Sequence, residues 1–297
     1  MLKHNKCPLC GSDEIFVLYE CNDHLVTGKK FPVSRCRNCG FTFTNNYPEE
    51  KETAIFYSSD EYISHSDTTK GVVNKIYHLV REWMLSFKFR ILKNKSGLKT
   101  ASVLDIGSGI GYFPLFLKKK GWQGHGIEIS EDARDYAQNK NSIILKPPSG
   151  IEDFETRSMD IITMWHTLEH FYHPGKYLDS AHRILKDGGL LVIAVPNHWS
   201  FDAKRYKEFW AAWDVPRHMW HYNPDTIQAL ADKYHFKLHS MKRLPFDAFY
   251  ISALSEKYKK SSSPLLKGFA TGFFSWINSL LRIRETSSLI YIFRKYQ

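Results

Sequence analysis

Apolar positions along the chain fall into two kinds of run. Short aliphatic and β-branched runs occur at residues 101–106, 124–129, 143–146, 159–164 and 190–196. Each has the length of a strand buried on both faces. Residues 113–120 instead place Phe113, Phe116 and Leu117 at helical spacing and end at Gly121. Strands alternating with helices predict an α/β domain around a mostly parallel, doubly wound sheet. Asn223, Pro224 and Asp225 cap a further helix through Lys233. Residues 236–244 and 248–254 then read as a closing antiparallel strand pair.

The flanks follow different patterns. Residues 14–20, 31–35 and 41–43 read as short strands. Residues 72–92 carry Val73, Ile76, Tyr77, Val80, Trp83, Met84, Phe87 and Ile91 at helical spacing, with Lys and Arg opposite. Such a helix either packs on the sheet or caps a ligand pocket. Residues 264–281 form a last apolar helix without charges from 268 to 281, too short to span a bilayer, which takes about 20 residues. Lysines and arginines flank it. Docking on the domain is the preferred reading, and peripheral contact with a membrane surface is the alternative. These patterns divide the chain into residues 1–46, a helical cap and linker at 47–97, the main domain at 98–258, and a basic, aromatic tail helix at 259–297.

The most specific chemistry lies at residues 103–111, Val-Leu-Asp-Ile-Gly-Ser-Gly-Ile-Gly, followed by Glu128. Glycines at alternate positions turn the chain sharply and bring backbone close to a ligand. The next helix start offers free N–H groups, and a carboxylate ending the second strand can accept bonds from ribose hydroxyls. A dinucleotide fingerprint wants glycine where Tyr112 stands. The Asp-x-Gly-x-Gly-x-Gly pattern resembles the first motif of class I S-adenosylmethionine-dependent methyltransferases. Residues 159–164 with Trp165 to His170, and residues 184–189 with 190–197, resemble later segments of that family, in order. The resemblance covers residues 98–255. It implies a seven-stranded Rossmann-like sheet, S-adenosylmethionine as cofactor and methyl transfer as activity. It also implies roles: Asp105 for the cofactor's amino end, Gly107, Gly109 and Gly111 for its methionine and ribose portion, and Glu128 for the ribose hydroxyls. Ile129 would lie against the adenine, with Gly150 or Glu152 near its amino group and Trp165 beside the site.

Five cysteines include the pairs Cys7/Cys10 and Cys36/Cys39, each a Cys-x-x-Cys-Gly. Two such knuckles aim four soft donors at one point, which suits structural Zn²⁺ in a ribbon better than a redox dithiol, where one pair suffices. Cys21 is left as an ordinary thiol. This usage and the absence of a signal-peptide pattern place the protein in a cytoplasm. The net charge of +10 favours anionic partners without specifying one.

His166, Glu169, His170 and His173 cluster after the fourth strand. Glu169-His170 resembles a dipeptide near the acceptor in ubiquinone-pathway methyltransferases. An acceptor-side role, a structural role and a divalent metal site are the three readings, and His166, where metal-binding relatives carry an acid, weakens the last. An aromatic insertion at residues 198–222 contains Pro216, Arg217 and His218, resembling a Pro-x-His loop of the same family. His218 and His170 are the candidate general bases for a hydroxyl or amine acceptor. The N-terminal zinc segment resembles that of longer sugar C-methyltransferases. The expected partner is therefore a small-molecule acceptor: a glycan precursor, a nucleotide sugar or a lipid-linked metabolite. RNA or protein methylation guided by the ribbon is the alternative, disfavoured for nucleic acid by scattered basic residues.

Overall fold

Four of the hydrophobic runs become the parallel half of the main sheet in the computed structural model, which describes residues 1–57 and 72–296. They are β4 (Ser102–Ile106), β5 (Gln123–Ile127), β6 (Met159–Trp165) and β7 (Leu185–Pro196). The sheet runs β5-β4-β6-β7-β10-β9, with β9 (Phe236–Arg243) and β10 (Ser288–Lys295) antiparallel at one side. Side chains of β4 alternate between two cores, as strand geometry dictates. Leu104 and Ile106 face Leu178, Ala181 and Ile184 of α4 (Pro174–Ile184). Val103 faces Leu85 and Leu92 of α1 (Val72–Ser96) and Leu117 of α2 (Tyr112–Lys119). Helices thus cover both faces, and the strands need no polar face.

The chain runs outward from β4 to β5, then crosses to β6 on the other side of β4. The carboxyl ends of β4 and β6 therefore flank a topological switch point, where open α/β sheets bind ligands. Between β5 and β6 lies α3 (Glu131–Asn141), capped by the Ser130 hydroxyl, which accepts from Ala133 N–H at 3.2 Å.

Three expectations are corrected. Among the described residues the main sheet has six strands, not seven, because residues 143–146 contribute only the single parallel bridge Ile127↔Lys146. Residues 248–254 are not a strand but part of α7 (Asp247–Tyr258), where Ala248, Ile251, Ser252 and Ser255 are buried at helical spacing. The antiparallel partner of β9 is β10, so the tail 259–297 is not simply a helix. It runs through α8 (Pro264–Leu281) and returns as a central strand whose residues Leu289 to Phe293 are fully buried.

The N-terminal strands β1 (Ile15–Asn22), β2 (Lys30–Cys36) and β3 (Thr42–Thr44) form a second, antiparallel sheet. Its fourth strand is β8 (Trp220–His221), from the aromatic insertion, paired Thr42↔His221 and Phe43↔Trp220. Phe41 and Phe43 share a continuous core with Leu168, Trp220 and Tyr222. The remaining helices are α5 (Phe201–Tyr206) in the insertion and α6 (Pro224–Lys233), whose N-cap Asn223 forms the expected reciprocal cap with Thr226. Residues 53–62, and the side chains of Val73, Ile76 and Tyr77 on α1, lie partly or wholly outside the described residues.

Candidate functional site

The three loop glycines share positive φ but not the same surroundings. A Cβ on Gly107 would lie 2.0 Å from Thr167 Cγ2, and one on Gly111 would lie 2.7 Å from Ile143 Cγ2. Those two permit packing. A Cβ on Gly109, at φ +54°, meets nothing within 4 Å, so its Cα faces the open crevice. Glu128, buried just past β5, accepts from Gly109 N–H at 2.7 Å and from Ser130 N–H at 2.9 Å. A carboxylate has about four lone-pair sites, so two remain for hydroxyls. Ile129 is 72% exposed beside it. Gly150 donates its N–H to Pro147 O within a 3-10 turn, and Glu152 is paired with Arg183 at 3.1 Å. The Gly150 N–H is therefore engaged within its own turn, while the exposed Glu152 carboxylate keeps acceptor sites beyond Arg183.

Asp105 ends β4 fully desolvated. Burial pushes its carboxyl up to about 6, against the nearby Lys88 ammonium and a 2.5 Å bond from the Thr163 hydroxyl. Lys88 reaches in from α1, its Nζ 4.5 Å from the Trp165 ring centroid. Burial lowers the Lys88 pKa, while Asp105 and Asp247 favour its charge. Trp165 Nε1 is buried without an acceptor among the described residues. Glycine loop, acid, lysine and indole thus converge on one crevice. Sequence periodicity reads Lys88 only as part of a solvated helix face.

The second cluster lies at the end of β6. His166, Glu169 and His170 are not on an α-helix: residues Leu168–His170 form a 3-10 turn, and His166 sits at φ +55°, rare for a residue with a side chain. His166 lies between Glu169 (3.4 Å) and Asp247 (3.2 Å). Burial opposes its charge, yet the two carboxylates carry its pKa up to about 10. Asp247 was invisible from sequence because its segment read as a strand. The insertion brings His218 against His170, ring centroids 4.6 Å apart. Burial, with His218 adding to it, pushes His170 down to about 4, so it is neutral near pH 7. His170 Nδ1 lies 3.3 Å from the Tyr57 hydroxyl. His218 Nδ1 lies 2.9 Å from the Ala212 carbonyl, which can only accept. Nδ1 therefore donates there, and Nε2 lies 3.8 Å from an Asp214 carboxylate oxygen. Glu169 is 1% exposed, and beyond the His166 contact its carboxylate has no hydrogen-bond partner among the described residues. Donor atoms of Glu169, His170 and His218 all lie within 4.8 Å of one another. His173 is not among them; it precedes α4 as its N-cap residue.

Arg217, next to His218, is a structural residue that sequence reading passed over. It is buried and donates to Asp23 at 3.0 Å, to Asp214 at 2.7 Å and to the Phe56 carbonyl at 3.0 Å. It ties the N-terminal sheet to the insertion.

Cys7, Cys10, Cys36 and Cys39 converge as their spacing predicts, with Sγ–Sγ distances of 3.6 Å for Cys7–Cys39 and Cys10–Cys36. A tetrahedral ion with Zn–S bonds of about 2.3 Å sets its sulfurs roughly 3.8 Å apart, so this donor set fits. Burial opposes ionisation of Cys10, but the Ser12 N–H and the neighbouring thiols carry it down to about 7. Cys21 is buried elsewhere, and burial pushes its thiol far up, as for an inert core residue.

The comparisons with known proteins agree with this crevice. A family profile described as "Methyltransferase domain" matches residues 78–241, more than half of the chain. The ubiquinone biosynthesis O-methyltransferase of Glaesserella parasuis is 31% identical over 134 residues, 41% of this chain and 56% of that protein. The enzyme of the same name from Coxiella burnetii is 28% identical over 138 residues, 44% of this chain and 57% of that protein. The chain thus spans just over half the length of the curated relatives it matches. Among solved structures, the PH0226 protein of Pyrococcus horikoshii aligns over 80% of this chain and 99% of its own, with TM-score 0.50 and 14% identity. A Galdieria sulphuraria structure described as a sarcosine dimethylglycine methyltransferase aligns over 75% and 88%, with TM-score 0.51 and 17% identity. At such identities these two show a shared Rossmann-like α/β fold. With the glycine loop and Glu128 at the switch point, and the family profile over that segment, the chain belongs to the class I S-adenosylmethionine-dependent methyltransferases.

Proposed function

We propose that the enzyme methylates a small-molecule acceptor (a glycan precursor, nucleotide sugar or lipid-linked metabolite), with His218 as general base and a structural Zn²⁺ in the N-terminal ribbon. The observation that carries this reading is His218 set against His170 beyond β6, with Nδ1 engaged by the Ala212 carbonyl so that Nε2, 3.8 Å from Asp214, is the ring nitrogen left to take a proton. In this reading Asp105, Gly107, Gly109, Gly111 and Glu128 hold the cofactor, Ile129 and Gly150 flank its adenine, and Trp165 lies beside its sulfur end. When bound, S-adenosylmethionine supplies a methyl group on a cationic sulfur that needs little leaving-group help. The protein's part is in-line positioning, exclusion of water and capture of a proton. His218 takes the acceptor's proton at Nε2 as the new bond to carbon forms. His170, which burial pushes down to about 4 and so keeps neutral near pH 7, orients the acceptor. The name O-methyltransferase borne by the relatives supports oxygen as the acceptor atom. The five cysteines, none of them in a disulfide, suit a reducing compartment such as the cytoplasm.

The test has two parts. Labelled cofactor incubated with fractionated extract should label a small molecule; label in RNA or protein would overturn that choice. On the acceptor so found, His218→Ala should lower kcat by about 10²–10⁴-fold, the range for losing a general base. Cofactor affinity should hold. Unchanged kcat would remove the base role.

A second reading has its own observation: the buried Glu169 carboxylate, its only ionic partner among the described residues being His166 at 3.4 Å, makes with His170 and His218 a donor set for a divalent cation. It predicts one metal equivalent beyond the ribbon's zinc, lost in His170→Ala. One equivalent in both proteins would leave only the base.

A further inference from the structure

The helix α8 is built inside out for a soluble protein. Its buried stripe is made of small residues, Gly268, Thr271, Gly272, Ser275 and Ser279. Cβ atoms on Gly268 and Gly272 would lie 2.4 Å from Ala253 Cα and 2.7 Å from Phe249 Cα, so α7 and α8 touch backbone to backbone. Small residues four apart permit such contact, an arrangement favoured where large side chains find an apolar medium outside. The large apolar side chains all point away. Leu265, Leu266, Phe269, Phe274 and Leu281 are 60–85% exposed, and Tyr250 of α7 is 71% exposed. An ordinary surface helix does the reverse. At 18 residues α8 is about 27 Å long. No helix among the described residues is long and apolar enough to cross a membrane.

The charge around this face is mostly positive, and Glu285 at its C-terminal end is neutralised by Arg282 and Lys204 at 3.5 and 3.2 Å. Lys259, Lys260 and Lys267 are exposed at its N-terminal end. Beyond the other end lies a cleft of about 570 Å³ between α1, the β9–α7 connection and α8. Arg90, Lys95, Lys242 and Arg243 line it with Phe246 and Trp276, and no carboxylate among the described residues does. Arg243 donates to the Ser279 and Leu280 carbonyls at the end of α8. Arg90, Lys95 and Lys242 form no ion pair among the described residues. An apolar face bracketed by unpaired cations is complementary to one kind of surface, hydrocarbon beneath anionic headgroups.

We propose that α8 lies in the interface of an anionic lipid bilayer, with its Leu and Phe side chains among the acyl chains and a lipid headgroup in the Arg90/Lys95/Lys242 cleft. Phe246, at the cleft wall, adjoins Asp247, the partner of His166. Docking there sets the acceptor side of the enzyme against the membrane, where a lipid-linked acceptor is met. The surface does not depend on the choice of acceptor.

The full-length protein should sediment with vesicles of phosphatidylcholine and phosphatidylglycerol, and at least about tenfold less with phosphatidylcholine alone or in high salt. The triple variant Phe269→Ser, Phe274→Ser, Leu281→Ser should lose sedimentation while keeping its melting temperature, because those side chains are exposed. Arg90→Ser with Lys242→Ser should lose the preference for anionic vesicles. Wild-type protein left in the supernatant with every vesicle would overturn the proposal. So would a triple variant that sediments like wild type. A wild-type dimer at equilibrium sedimentation, reverting to monomer in the triple variant, would assign the face to a second copy of the chain instead.

Discussion

A carboxyl held near pKa 6 at the end of β4 gives the site a handle that can be measured. Burial raises Asp105, so it loses its charge as pH falls through about 6. The cofactor is cationic at sulfur and at its amino group, so its dissociation constant should rise below that pH. The slope should approach about tenfold per unit, the limit for one linked proton. Titration calorimetry from pH 5 to 7.5 checks this, and a flat profile would remove Asp105 from the contact. Melting temperature is the wrong readout. Between about 4 and 6 the folded state binds more protons at Asp105 than an unfolded chain does, which lowers stability as pH rises. At His170, from about 4 to 6.5, it binds fewer, which does the opposite. The glycines separate in the same way. Gly107→Ala must displace Thr167 and should lower stability sharply. Gly109→Ala carries only left-handed strain, about 1–2 kcal/mol, and should weaken cofactor binding instead. Equal stability losses in the two variants would refute that division.

Elements of this fold are pinned by a few buried ionic contacts. Arg217 joins the turn at Asp23, the insertion at Asp214 and the backbone at Phe56. Both carboxylates hold it well above its ordinary range, against burial. Arg217→Ala leaves two desolvated carboxylates facing each other and should cost about 3–5 kcal/mol in urea unfolding, the scale for breaking a buried pair. A loss under about 1 kcal/mol would mean that water replaces the guanidinium. At this scale the sequence was legible where a pattern was local. Asn223 announced α6, and the β4–α2–β5 unit was read from one contiguous stretch. It misled where a pattern was short. Residues 248–254 are apolar enough for either element, and only the burial of Ala248, Ile251 and Ser255 on one side shows a helix.

The N-terminal sheet and the methyltransferase domain are joined by backbone bonds at the His218 loop. Strand β3 pairs with β8, Thr44 N–H donates to the Met219 carbonyl at 2.9 Å, and Met219 N–H donates to the Glu169 carbonyl at 2.9 Å. The cysteine knuckles therefore brace the acceptor side through backbone bonds. If the four sulfurs hold zinc as proposed, removing it with a chelator should lower kcat about tenfold or more, while the cofactor's dissociation constant changes little, since the proposed cofactor site lies at β4 and β5. The range is that of supporting groups one step from the chemistry. Returning zinc should restore the rate. Activity that survives verified zinc loss would make the ribbon a separate appendage.

What the sequence determined by itself is whatever depends on neighbours along the chain. Gly107, Gly109 and Gly111 stand between a strand and a helix. Glu128 follows the next strand, and each Cys-x-x-Cys-Gly knuckle folds on its own turn chemistry. These are short-range constraints, and they sufficed to give the fold class, the cofactor crevice and the four-sulfur cluster. The tertiary structure decided what depends on pairing between distant segments. Nothing near residues 288–295 says that they enter the sheet between β7 and β9, because an apolar run fits any strand position with a free edge. Nothing near His218 says that it meets His170 beside a buried Glu169, since that meeting is set by β8 joining the N-terminal sheet. Asp247 reaches His166 only because its segment is helical. The period of α8 was equally readable from sequence, but not the side that faces the protein. Close backbone packing against α7 admits only the glycine and serine stripe, which leaves the large side chains outside.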